Sequence, residues 1–465
     1  MYLDVKKKLV KSRFMQIAKG DDNLVIWHSL FGSPKIISFE TLELINLFSQ
    51  PISIESVCED YDLDGDIIEL FTELVSSYFL ISQDIDERKI INECNVINEQ
   101  KIIGGGLVDY LELIVAENCN FACDYCIHFT NLSNSDRLSK KKIMGFETAK
   151  EAIDKYISLL RLHGKKDGAI NFGGGEPLLN WKVIEMSLRY IKATYSDEFE
   201  LRLTLNTNAS LLTAEIAENL KRYGVEIASS LDGLAKANNL VRLTSSGEET
   251  FDLIVNGFRN LELVGYPIEG ISITINERNF QYILTEIIDW AVERKMTDLR
   301  IDIDVVGAIN IPVAEVADKL MLLWKYAKQR KIQIAGFWSR PYENLSLSVL
   351  TDDVGFCGGV KGNSICVSPS REIFMCGYSN TILGNLDSFG QSLLVDGTYY
   401  NLVKNRQTGQ MKMCQDCPIE CQCNGGCQIT QEYAAEINSM KLDRMCELYK
   451  TMTYRLLLEQ ISTQL

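Results

Sequence analysis

Up to about residue 95, short apolar runs alternate with segments whose apolar positions recur at helical spacing. LVIWHSL (24–30) and PKII (34–37) read as strands, and Ser38 after them suits a helix N-cap. FETLELINLF (39–48), SIESVCEDY (53–61) and DIIELFTELVSSYF (66–79) read as amphipathic helices. Leu42, Ile45 and Phe48 share a face of the first, and Ile67, Phe71, Leu74 and Tyr78 a face of the last. FLISQ (79–83) closes the unit as a strand. Two strands, three helices and a strand predict a winged helix-turn-helix over residues 1–95.

From 108 to 310 the two periods alternate. LELIVA (111–116), AINFGG (169–174), RLTLNT (202–207), VEIASS (225–230), ISITI (271–275) and LRIDIDV (299–305) read as strands. Helical segments such as FETAKEAIDKYISLLRLH (146–163) and NGFRNLELV (256–264) separate them. Six strand–helix units predict an α/β domain with a parallel sheet and right-handed crossovers, either an open doubly wound sheet or a partial barrel. In both, ligands bind at the carboxyl ends of the strands. Residues 311–350 bridge to a cysteine-rich region, 351–465.

The chain has 465 residues, too many for one ordinary core. With 46% hydrophobic and 24% charged residues, its composition is that of a globular protein. A net charge of -16 argues against nucleic acid or an anionic membrane as partner, since both need a concentrated positive field. The winged-helix segment itself carries more Asp and Glu than Lys and Arg. There is no run of 18 apolar residues, and the amino terminus MYLDVKKKLVKSR has charges where a signal peptide needs an apolar stretch. The expectation is a soluble, cytoplasmic protein.

Fourteen cysteines in a reducing compartment cannot be a disulfide framework, and point to metal or metal–sulfur sites. Cys58 and Cys94 stand alone and read as small buried hydrophobes. Cys119, Cys123 and Cys126 form C-x3-C-x2-C just past the first strand of the alternating region, at its ligand-binding face. Nine more lie between Cys357 and Cys446. A structural zinc site wants four ligands, and no histidine completes the trio at finger spacing: His128 is only two residues past Cys126, and His163 is on a helical segment. Three thiolates on a cubane iron–sulfur cluster leave one iron open to a non-protein ligand. Iron–sulfur fits the spacing better than zinc, which stays as the alternative.

C-x3-C-x2-C, with Tyr125 before the last cysteine, resembles the signature of the radical S-adenosylmethionine (radical SAM) superfamily, and further motifs agree. NFGGGEPLL (171–179) contains Gly174, Gly175, Glu176 and Pro177, which match the family segment that binds the methionyl amino group of SAM. Consecutive glycines let backbone approach a ligand closely. In TLNTNASLL (204–212), Asn208 matches a residue on the SAM ribose side. SSLDG (229–233) followed by Arg242 matches the fourth-strand segment, in which Ser230 and the arginine contact SAM. A guanidinium fork suits a carboxylate. By the same resemblance Tyr125 would touch the adenine, with Ile303 of the sixth strand covering it. The implied fold is a radical SAM partial (β/α)6 TIM barrel in which Cys119, Cys123 and Cys126 hold a 4Fe-4S cluster whose open iron chelates SAM.

CQDCPIECQCNGGC (414–427), preceded by Cys357 and Cys376 and followed by Cys446, resembles the SPASM extension of radical SAM peptide-modifying enzymes. By that family's crossed ligation, Cys414, Cys417, Cys423 and Cys446 would hold an outer auxiliary 4Fe-4S cluster. Cys357, Cys376 and Cys427 would hold an inner one, making three clusters with the SAM site. The fourth position of the inner cluster is open, or filled by Cys366, Cys421 or an Asp. A zinc ribbon is the other reading of the C-x2-C. Two positions depart from the family. Arg371 replaces the usual Gly ahead of Cys376, which puts the turn there in question, and Gly377 stands where sulfatase-maturating relatives carry an Asp base.

The acidic winged helix resembles the PqqD-like leader-recognition element of ribosomal-peptide maturases, in which a leader adds as a strand to a small sheet. WHSLFG (27–32) or PKII would form the edge. The expected activity is cleavage of SAM to a 5'-deoxyadenosyl radical, hydrogen abstraction from a precursor peptide and installation of a cross-link, a thioether first. Carbon–carbon cross-linking, epimerisation and maturation of a folded, quinohemoprotein-type protein are the enzymatic alternatives, and a metal-binding winged-helix regulator the non-enzymatic one. The expected partners are the precursor peptide and an external electron donor of flavodoxin or ferredoxin type. No general base or radical quencher is legible.

Overall fold

In the computed structural model, which describes residues 3–61, 67–127, 142–304, 310–352, 354–394, 396–436 and 439–463, the N-terminal region builds two antiparallel three-stranded sheets. His128 and Val305 lie outside the described residues. Strands β1 (Lys8–Lys11) and β2 (Met15–Lys19) come first, in addition to the expected ones: KLVK and MQIAK are too short and polar to show alternation. The expected pair, β3 (Leu24–His28) and β4 (Gly32–Ile37), joins β2 in a meander. β1 lies between β5 (Ile52–Ser53) and β6 (Leu80–Ser82), the latter within FLISQ.

Helices at Phe39–Leu47, Ile54–Tyr61 and Ile67–Ser76 match the three expected, and the Ser38 hydroxyl caps the first by accepting the Thr41 N–H at 3.2 Å. Ile45, Phe48, Phe71 and Leu74 close on Leu24 and Ile26. A further helix, Glu87–Ile102, runs across residue 95 toward the main sheet.

The six expected strands of the alternating region are β7 (Tyr110–Ala116), β8 (Asp167–Gly174), β9 (Glu200–Thr207), β10 (Glu226–Ser230), β11 (Gly270–Ile275) and β12 (Asp298–Ile303). They are parallel and in sequential order, as in an opened barrel and unlike a doubly wound sheet, whose order reverses at a switch point. The sheet extends beyond them. β13 (Gln333–Ala335) of the bridging region adds parallel to β12, and β14 (Ser364–Val367) of the cysteine-rich region adds parallel to β7. β15 (Glu372–Phe374) and β16 (Ile382–Asn385) continue antiparallel, giving ten strands.

Alternation divides each strand between two surfaces. Leu111, Leu113 and Val115 of β7 and Leu299, Ile301 and Ile303 of β12 enter one core with the covering helices, a core that continues into the C-terminal region through Ile365, Tyr399 and Tyr449. The opposite face carries Glu112, Asn171 and Thr204 side by side in register on β7, β8 and β9, and Arg300 and Asp302 on β12. The N-terminal meander packs on the C-terminal helix Ser439–Thr463 through Val25, Trp27 and Leu457, and Trp27 Nε1 donates to the Pro418 carbonyl at 2.7 Å. Among the described residues no helix is long and apolar enough to cross a membrane.

Candidate active site

Past β7 the chain turns through Cys119, Cys123 and Cys126 at the carboxyl end of the sheet, and the turn is held from two sides. On one side, the Gly175 and Glu176 N–H groups donate to the Ala116 and Asn118 carbonyls at 2.8 and 3.0 Å. A Cβ at Gly174 would stand 2.3 Å from the Ala116 oxygen, and one at Gly175 2.3 Å from the Asn118 oxygen. The glycine run therefore serves, first, the approach of two backbones. On the other side, the Ala122 and Asp124 N–H groups donate to the Leu243 and Val241 carbonyls at 2.8 and 3.1 Å. The Asp124 carboxylate accepts from Asn276 Nδ2 at 3.0 Å and Arg278 Nη1 at 2.8 Å.

Glu176 is fully buried. Its carboxylate accepts the Thr207 hydroxyl at 2.7 Å and the N–H groups of Asn208 and Leu178 at 2.8 and 3.0 Å, while burial pushes its pKa up to about 6 against these donors. It ties the end of β8 to the end of β9 and fixes Asn208, whose Nδ2 lies 2.9 Å from Asn120 Oδ1 and 3.8 Å from Cys119 Sγ. Pro177 opens the short turn Pro177–Asn180, and Ser230 ends β10, half-buried.

Arg242 is buried. Its Nε donates to Asp232 at 2.7 Å, its Nη1 is 3.8 Å from Cys123 Sγ, and its guanidinium lies 5.6 Å from the centre of the Tyr125 ring. The Tyr125 hydroxyl donates to the same Asp232 oxygen, and the other oxygen accepts the Thr274 N–H at 2.7 Å. Asp232 is thus the hub of this side of the site. It sits inside SSLDG, where a carboxylate near an arginine was the available signal. Ile303 lies on the helix-covered face of β12, opposite Arg300 and Asp302, so its position offers no cover for an adenine.

Burial pushes the Cys119 and Cys123 thiols up to about 12, and Cys119 feels both Cys123 and Cys126. Thiols held so high are thiolates at neutral pH only with a cation bound to them. Burial likewise pushes Cys414 up to about 12, with Cys417 and Cys446 as neighbours, and raises Cys423 beside the same three. Cys427, also pushed up to about 12 by burial, neighbours Cys357, and Cys376 neighbours both. None of the fourteen cysteines is in a disulfide.

Cys366 is fully buried, hydrogen-bonds Glu112 and neighbours Cys376. Cys421 lies instead in an apolar contact with Phe14, Phe31 and Ile91. Arg371 adopts φ 70° and is held by Glu151 at 2.9 Å and by Asp387, so the turn forms without glycine. The Gly377 N–H donates to Glu112 Oε2 at 2.9 Å, and a Cβ at Gly377 would stand 2.8 Å from the same carboxylate.

Glu112 therefore occupies the space beside Gly377, a residue that sequence reasoning passed over as one polar position in an apolar strand. Asn171 Nδ2 reaches it at 3.4 Å, and Tyr378 neighbours Glu112, Cys126 and Cys376. Tyr378 is half-exposed at the surface of this group, and loss of solvent is the first cause raising its phenol pKa. Around the C-terminal thiols, Arg406 Nε, Thr430 Oγ1 and the Tyr449 hydroxyl are buried donors without a partner among the described residues. Among the described residues no three or more His, Cys, Asp or Glu side chains converge as the ligands of a single metal ion would. Grouped soft thiols ringed by unpaired donors fit iron–sulfur clusters, whose sulfides accept hydrogen bonds.

Residues 113–287 match the Radical SAM superfamily: the chain carries a radical SAM domain, with the α/β fold and mostly parallel sheet of that class. It is 25% identical, over 97% of its own length and 96% of the relative's, to the radical SAM cyclopropyl synthase TigE of Paramaledivibacter caminithermalis. Its fold is similar to that of native anSMEcpe with bound AdoMet, with TM-score 0.60, 16% identity, and 75% of this chain and 99% of that chain covered. It is also similar to Streptococcus suis SuiB bound to S-adenosylmethionine, with TM-score 0.50, 15% identity, and 90% and 96% covered.

Proposed function

We propose that this chain is a radical SAM maturase of a ribosomally synthesised precursor peptide that joins two positions of the peptide by oxidising a C–H bond. The observation that carries the reading is that Tyr378 neighbours both Cys126 of the first cysteine set and Cys376 of the C-terminal region, with the Glu112 carboxylate beside Cys376 and Tyr378. A thioether is the first expectation from sequence alone. Similarity to a cyclopropyl synthase along nearly the whole of both chains favours a carbon–carbon bond instead.

In this reading Cys119, Cys123 and Cys126 hold the SAM cluster. Cys357, Cys376 and Cys427 hold the inner auxiliary cluster, and Cys414, Cys417, Cys423 and Cys446 the outer one. The inner cluster's fourth position is open, since Cys366 is engaged with Glu112 and Cys421 lies in the apolar contact near Phe31. When bound, the SAM cluster supplies reductive cleavage of SAM to a 5'-deoxyadenosyl radical, and the auxiliary clusters supply an electron acceptor.

The remaining work belongs to side chains. Arg242, locked by Asp232, would present its remaining N–H groups to SAM's carboxylate, and Asn208 is fixed beside Cys119 by Glu176. Bond formation removes two hydrogens from the peptide, one as a hydrogen atom and the other as a proton and an electron. Glu112 is the carboxylate placed to take the proton, and burial raises its proton affinity. The N-terminal region holds the leader, with β4 as an edge strand of its meander, whereas Trp27 and His28 lie in the central strand β3.

The test is anaerobic reconstitution with iron and sulfide, then dithionite and SAM. About twelve irons per chain are expected, with 5'-deoxyadenosine formation that is lost when Cys119, Cys123 and Cys126 are changed to Ala. Co-expression with small peptides encoded beside the gene should then yield a product lighter by two hydrogens. Zinc in place of iron, with no SAM cleavage, sinks the proposal. A product that requires a peptide cysteine returns the bond to a thioether.

A further inference from the structure

Arg406 neighbours thiols of both C-terminal sets. Its fork is enclosed by the loop that joins them: Nη2 donates to the Asn424 and Gly426 carbonyls at 3.1 and 2.6 Å, and Nη1 to Gln428 Oε1 at 2.7 Å. That loop runs from Cys423, of the outer set, to Cys427, of the inner one. The guanidinium neighbours Cys357 and Cys427 of the inner set and Cys423 and Cys414 of the outer one. The residue is 5% exposed, and among the described residues no carboxylate hydrogen-bonds it and Nε is a buried donor with no partner. An arginine keeps its charge when buried, and a buried cation ordinarily has an anionic partner. Here the anions available to it are those neighbouring thiols, once they are ionised as cluster ligands.

We propose that Arg406 is the shared counter-charge of the two auxiliary clusters, with Nε–H donating to a cluster sulfur and the guanidinium raising the reduction potentials of both. Net charge and hydrogen bonds to sulfur are the terms through which protein sets such potentials. A positive charge favours the reduced, more negative state of each cluster, which makes both better acceptors for the single electron that bond formation releases. Acting on both clusters at once, one side chain holds their potentials close together. The inference rests on the cluster assignment proposed above.

The experiment uses the full chain with Cys119, Cys123 and Cys126 changed to Ala, so that only auxiliary signals remain, reconstituted anaerobically with iron and sulfide. Potentiometric titration followed by electron paramagnetic resonance compares Arg406 with Arg406→Gln. Both couples are expected to move to more negative potential by at least tenfold in the reduction equilibrium, about 59 mV for one electron. Arg406→Lys, which keeps the charge and loses the fork, is expected to recover part of the shift. Independently of any variant's folding, protein labelled with 15N-arginine should show a 15N coupling to a reduced auxiliary cluster in pulsed spectra. Iron at about eight per chain with unchanged potentials and no 15N coupling overturns the role of Arg406 alone. Iron at or near zero, with no auxiliary signal, overturns the cluster assignment beneath it.

Discussion

A carboxylate at 232 decides whether Arg242 is usable. Asp232→Ala leaves a buried guanidinium without its partner and strands the Thr274 N–H and the Tyr125 hydroxyl. The expected cost is about 3–5 kcal/mol in urea unfolding, with weakened SAM binding. Glu176 gives a pH signature. Its folded pKa, about 6, lies above the ordinary value of 4.5, so the folded state holds the proton more tightly than the unfolded one. The stability this contributes is present below pH 4.5 and is lost as pH rises toward 6, amounting to about 2 kcal/mol. In Glu176→Gln that pH dependence should disappear, read as unfolding free energy at both ends of the window. Glu112→Gln should leave 5'-deoxyadenosine formation intact and lower peptide product about 10²–10⁴-fold by mass spectrometry. An equal fall in both rates removes Glu112 from proton transfer. At this scale the sequence showed the thiols, the glycines, Glu176 and Arg242, because their types and spacing are unusual. It did not show Asp232, which binds distant Tyr125 and Thr274 as well as nearby Arg242, or Glu112, whose partner Gly377 is far along the chain.

Elements differ in how much of their stability is local. β7 to β12 were legible to within a few residues because each buries one face against helices, and that burial writes an alternation or an apolar run into the sequence. β1, β2 and β13 to β16 are short and gain their definition from the strand they join, so pattern alone passed over them. The turn at Arg371 shows the same dependence on context. Its left-handed backbone costs about 1–2 kcal/mol for a non-glycine residue, and its half-exposed ion pairs to Glu151 and Asp387 return about 0–1 kcal/mol each. Arg371→Gly should therefore change stability by no more than about 1 kcal/mol in thermal unfolding, whereas Arg371→Val, with a β-branched side chain at φ 70°, should destabilise the hairpin.

Across the whole molecule, the N-terminal region is fastened to the segment that carries the outer cysteines. Arg88, on the helix Glu87–Ile102, pairs with the fully buried Glu420 at 2.7 Å and with Asp416 at 3.2 Å, between Cys414 and Cys423. Arg88→Ala leaves the Glu420 carboxylate buried and unpaired, at a cost of about 3–5 kcal/mol. The outer set should lose iron first on mild chelation, while SAM cleavage persists. Retention of all iron in Arg88→Ala would show the two regions to be independent. Composition and periodicity were sufficient for the α/β class and the six strands of the alternating region, since these follow from burial within short segments; the sequential strand order was settled only by the structure, and the division of the cysteines into three sets came from the family resemblance. The joining of β13 and β14 to a ten-stranded sheet, the meeting of Glu112 with Gly377 and the enclosure of Arg406 by the 423–428 loop were settled only in three dimensions. Each depends on contacts between residues distant in sequence, and no local pattern records which distant partner a polar side chain will meet.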